Sequence, residues 1–86
     1  MTEDEIREVV LGVLGEIAPE AELDALEPDV DFQDQLDVDS MDFLNFVIGM
    51  HGRLDVEIPE ADYGALNTLD KCVCYLKSKI DSKTRP

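Results

Sequence analysis

Apolar residues recur along this chain with the period of an α-helix and nowhere with the period of a strand. Ile6, Val9, Val10, Val13, Leu14 and Ile17 fall at i, i+3, i+4, i+7, i+8 and i+11, which gathers them on one face. Phe43, Phe46, Val47, Met50 and Leu54 make a second stripe, and Leu69, Val73, Leu76 and Ile80 a third. No segment alternates convincingly, as a half-buried strand must. The expected fold is an all-α, four-helix bundle with three longer helices and one short one.

Local chemistry sets the ends of these helices. Thr2 with Glu5 three residues on forms a capping box, and Glu3 and Asp4 suit the positive end of the helix dipole. Ala18-Pro19 stops the first helix, because proline pushes the preceding residue out of helical geometry. Asp39 is the expected N-cap of a helix starting near Ser40, with Asp42 at its third position. Pro59 opens the short helix and Gly64 stops it. The last helix is expected from Thr68 to Ile80, with Lys77 and Lys79 near its C-terminal carbonyls. One domain over 1–86 follows, ordered from about 2 to 80, with 81–86 a frayed tail.

Between the first two long helices lies an acidic connection, about residues 18–39. Glu20–Leu26 is expected to make a helical turn, while Pro28 and the density of Asp break anything longer. Leu23, Leu26, Val30, Phe32 and Leu36 are spaced to pin this connection across a bundle. A loop of this length in a compact domain is uncommon and usually functional.

At 86 residues and 9.6 kDa there is room for one small core. With 21 acidic and 7 basic residues the formal net charge is −14, a field that opposes nucleic acid and anionic membrane. No Lys or Arg stands between Arg7 and Arg53, and Glu8 to Asp42 contains twelve acids. There is no long apolar run and no basic leader, so the chain reads as soluble and cytoplasmic.

Catalytic chemistry is nearly excluded by inventory. The single histidine, His51, with Cys72 and Cys74 cannot supply the four ligands of a Cys/His metal centre. On a helix the two cysteines point roughly 200° apart, and Cys72 borders the apolar stripe as a small hydrophobe. Ser40 lacks the Gly-x-Ser-x-Gly turn of a hydrolase, and His51 lies about 16 Å of helical rise away. Asp29 to Ser40 fails as a calcium loop, having Asp34 where Gly belongs and Ser40 where a bidentate Glu belongs, so no metal site is expected.

Asp39-Ser40-Met41 taken alone is an ordinary helix start. In context, the string from Phe32 to Met41 resembles the attachment segment of acyl carrier proteins, with Leu36 and Phe32 four and eight residues before the serine. The resemblance runs on through Leu54-Asp55-Val56-Glu57-Ile58-Pro59 and Thr68-Leu69, and takes in the size, the acidity and the long first loop. It implies 4′-phosphopantetheine, taken from coenzyme A by a phosphopantetheinyl transferase, on Ser40, with Asp39 helping the transferase engage. It also implies acyl groups held as thioesters and passed between biosynthetic enzymes, by a carrier that does no catalysis. Met41, Asp42, Leu44, Asn45 and Ile48 would then be the partner face, gripped by basic docking patches. The alternative for Leu44 is burial beneath the long loop, weighed equally.

This sequence departs from the pattern at three places. Asp37 stands where a glycine is usual, Asn45 where discrete fatty-acid carriers have an acid, and His51-Gly52-Arg53 where they have an acidic run. These point to a carrier serving a specialised lipid or secondary-metabolite pathway; a monomer is expected. An aminoacyl or peptidyl carrier of the same fold, or an unmodified acidic helical adaptor, are the alternatives. Gly49 and Gly52 suggest close backbone approach or flexibility, and Phe43 and Phe46 are bulky enough to limit an acyl pocket between helices.

Overall fold

The computed structural model describes residues 1–84, with side chains through 82. Its long helices are α1 (Glu3–Ile17), α3 (Ser40–Leu54) and α4 (Leu69–Thr84). A one-turn α2 (Phe32–Gln35) and two 3-10 segments, Leu23–Ala25 and Glu60–Leu66, fill the connections, and no strand occurs among the described residues. α1 packs against both α3 and α4, and the second 3-10 segment packs against α4.

The stripes read from the sequence meet in one core. Ile6, Val10, Val13 and Leu14 of α1 join Phe46, Val47 and Met50 of α3 and Leu69, Cys72, Val73, Leu76 and Ile80 of α4. Phe32 and Leu66 close the cluster from the connections. Phe43 and Leu54, expected inside, are only half-buried. Burial pushes the Cys72 thiol up to about 12, so it stays protonated and unreactive in the core, while Cys74 is exposed.

The α1–α3 crossing depends on Gly49. A Cβ there would stand 2.8 Å from Val13 Cγ1, so the missing side chain lets the two helices approach. Gly52 has no such role, since a Cβ there would meet nothing within 4 Å.

Several boundaries differ from the sequence expectation. α4 runs on through Thr84, so 81–84 are helical rather than frayed, and Lys77 bonds the Met1 carbonyl and Asp81 instead of terminal carbonyls. The rest of the expected tail, 85–86, lies outside the described residues. Pro59 is the N-cap of its segment, not its first helical residue, and the segment passes through Gly64 to Leu66. A helix can pass Gly64 because its φ is negative there.

The long connection is more ordered than its composition suggests. Asp31 caps α2 by accepting from Gln33 N at 2.8 Å, a turn that the sequence expectation lacked. The turn expected over Glu20–Leu26 shrinks to Leu23–Ala25. Gln35 acts as the clasp: its amide donates to the Glu27 and Val30 carbonyls at 2.7 and 3.0 Å and accepts from Glu27 N at 2.8 Å. The backbone is tied to the far side of the bundle by Phe32 N to Asn67 O (2.8 Å) and Asp70 N to Pro28 O (3.0 Å). Phe32 is thereby held in the core, edge-on to Phe46 at 5.4 Å.

Candidate functional site

The start of α3 is fixed by a reciprocal cap. Asp39 is extended, and its Oδ1 accepts from Asp42 N at 2.9 Å while Asp42 Oδ2 accepts from Asp39 N at 3.4 Å. Ser40 is the first helical residue and is exposed, and among the described residues its hydroxyl makes no hydrogen bond. Asp37, at the position where a glycine is usual, keeps a negative φ, so the backbone there asks for no glycine. A phosphate ester on such a hydroxyl would meet the positive end of the α3 dipole. The capping bonds engage one oxygen each of Asp39 and Asp42, the nearest carboxylates in sequence.

Beside Ser40 runs an open groove that sequence reasoning missed. Phe43, Leu44 and Tyr63 line it together with the polar Asp31, Gln33 and Asn67. The Phe43 and Tyr63 rings meet edge-on, 6.3 Å between centroids and 73° between planes, which joins α3 to the 3-10 segment. Asn67 donates to Asp31 Oδ2 at 3.0 Å, while its own Oδ1 is buried with no partner among the described residues. Tyr63, Asn67 and Asp31 are distant from Ser40 in sequence, and only the folded connection brings them there.

The outer face of α3 is uncovered. Met41 is 66% exposed, Ile48 57% and Leu44 37%, with Asn45 exposed and Asp42 half-buried among them. The loop does not bury Leu44. Arg53, which stands where discrete fatty-acid carriers have an acidic run, is turned toward α1. Arg53 pairs with Glu16 of α1 and lies over Gly12, where a Cβ would stand 3.4 Å from its guanidinium. His51 Nδ1 donates to the Val56 carbonyl at 2.6 Å, which fixes the proton on that nitrogen and secures the turn after α3. The turn itself passes through Asp55 in the left-handed region, φ 54°.

The family defined by a phosphopantetheine attachment site matches residues 4–76. The acyl carrier protein of Lactobacillus johnsonii is 35% identical over 78 residues, covering 91% of this chain and 96% of that protein. The chain belongs to the acyl carrier protein family. The acyl carrier protein of Chlorobium luteolum is 29% identical over 79 residues, 92% of this chain and all of its own length (100%). The solved acyl carrier protein of Enterococcus faecalis superposes with a TM-score of 0.74 over 92% of this chain and 99% of its own, at 24% identity.

Acyl carrier proteins bear a phosphopantetheine prosthetic group and work with a phosphopantetheinyl transferase and with biosynthetic enzymes. An exposed, unengaged serine hydroxyl at a helix start is the chemistry such a group needs, so the residues present fit it. Among the described residues no helix is long and apolar enough to cross a membrane, and no group of three His, Cys, Asp or Glu could hold a metal ion.

Proposed function

We propose that Ser40 is the attachment point of 4′-phosphopantetheine, and that Asp39 helps the transferase engage it. The observation that carries this reading is the hydroxyl of Ser40, exposed and free of hydrogen bonds at the start of a helix whose cap is built by its neighbours. When bound, the group supplies a terminal thiol on which an acyl cargo rides as a thioester. Ser40 provides the ester oxygen, Asp39 holds the helix start in register, and the α3 dipole favours the phosphate.

Met41, Asp42, Leu44, Asn45 and Ile48 form the face that partner enzymes grip, an apolar patch beside the modified residue. The acidic field around Ser40 steers the carrier toward basic docking patches. The carrier acts in the cytoplasm as a monomer and does no chemistry of its own. With Asn45, Gly49 and His51 along α3, and Arg53 turned to α1, no carboxylate follows Asp42 on the helix. That supports a specialised partner set over general fatty-acid synthesis.

The test is to incubate the protein with a broad-specificity phosphopantetheinyl transferase and coenzyme A and to record intact mass. The expected result is a gain of one phosphopantetheine on the native chain and none on Ser40→Ala. No gain on the native chain, or an equal gain on Ser40→Ala, would sink the assignment.

A further inference from the structure

A second opening lies where the end of α1 meets the acidic connection. It is a cleft of about 500 Å³, with Ile17, Leu26 and Leu36 as its half-buried apolar lining. Glu20, Glu22 and Asp37 also line it, and all three are exposed. Among the described residues their carboxylates make no ion pair. This chain has no cation between Arg7 and Arg53 to offer them, and Arg53 is held by Glu16. The cleft is also close to the attachment serine, because the three residues from Asp37 to Ser40 span at most about 11 Å.

Charge decides what can cover this cleft. Unpaired carboxylates are costly to bury against an uncharged surface, and a second copy of this chain, at net charge −14, is repelled. An apolar side chain flanked by Lys or Arg suits both the lining and the acids. Position decides which enzyme brings it. An enzyme acting on the cargo is held off by the length of the arm, whereas the transferase must bring its reacting groups to the Ser40 hydroxyl itself. A specific interface covers roughly 800 Å² on each partner, a patch about 30 Å across. The short dimensions of this chain are 24 and 20 Å, so a transferase centred on Ser40 covers the surface on both sides of it.

We propose that the cleft between the end of α1 and the connection is a docking subsite for the phosphopantetheinyl transferase, receiving a bulky apolar side chain flanked by Lys or Arg. It complements the α3 face, along which no carboxylate follows Asp42. The inference rests on Ser40 as the attachment point.

The test measures loading by a broad-specificity transferase at saturating coenzyme A and varied carrier concentration. Loading forms the Ser40 Oγ–P bond, breaks the pyrophosphate bond of coenzyme A, and releases adenosine bisphosphate and the hydroxyl proton. In Glu20→Gln/Glu22→Gln, KM for the carrier should rise about fivefold with kcat kept. The control pair Glu3→Gln/Asp4→Asn loses the same charge about 20 Å of helical rise from Ile17, and should raise KM less than about twofold. Ala25→Arg, at an exposed position in the cleft, obstructs it and repels its cationic occupant, and should raise KM about tenfold. Equal rises in the two charge pairs would overturn the inference, since steering by net charge would then account for both. A KM unmoved by Ala25→Arg would also overturn it, and would leave the cleft to an enzyme that acts on the cargo. Absence of any mass gain on the native chain would instead overturn Ser40 as the attachment point, and this inference with it.

Discussion

The two faces of α3 are built from the same kinds of residue and meet opposite fates. Phe46, Val47 and Met50 are at most 3% exposed, while Met41 and Ile48 on the other side are 66% and 57% exposed. The inward face is covered because α1 closes on it at Gly49, and because the connection carries Phe32 into contact with Phe46. Nothing in the described chain covers the outward face. In a domain this small there is too little chain to bury both. An apolar face left open beside an exposed serine is where the proposed docking would take place, and the surrounding carboxylates favour solubility.

The comparison can be broken most forcefully from the inside. Phe46→Ala should cost about 3–5 kcal/mol, a large share of the stability of a domain of this size, and chemical denaturation should show the chain largely unfolded. Gly49→Ala sets a methyl against Val13: overpacking costs about 1–3 kcal/mol and the better helix propensity of alanine offsets about 1. A net loss of about 1 kcal/mol, seen as a Tm lower by roughly 4–8 °C, is expected. Asp39→Ala removes the cap and should cost about 1 kcal/mol, whereas Asp39→Asn should keep most of that stability and slow transferase loading, separating the cap from the charge. Met41→Ala on the open face should change stability by less than about 0.5 kcal/mol while weakening partner binding in a titration. Lost stability without lost affinity at Met41 would mean that the outward face is core after all.

What could be read from the sequence follows the range of the signals. The three long helices are local patterns of spacing and caps, and Thr2–Glu5 and Asp39–Asp42 both close as reciprocal capping pairs. The helix start at Ser40 was legible for the same reason. The groove was not, because Tyr63 and Asn67 reach Ser40 only through tertiary packing. The α2 turn escaped because four residues carry no period. The clasp of Gln35 spans eight positions with an uncharged side chain that no motif marks. Arg53 was legible only as a departure from an acidic run, and its α1 neighbour Glu16 shows where it goes. The end of α4 was set too early because the apolar stripe stops at Ile80 while the backbone bonding does not.

The Gln35 clasp has one more consequence. Besides the Asp31 carboxylate, the acidic connection is fastened by an amide and by backbone groups, and none of its fastenings is an ion pair. The carboxylates around it, in a chain of net charge −14, repel one another across the same fold. Raising ionic strength shortens the reach of that repulsion, to about 10 Å at 0.1 M and about 3 Å at 1 M, and leaves the clasp untouched. Protein stitched together by surface ion pairs loosens under such treatment; this one should melt at a higher temperature as sodium chloride is added.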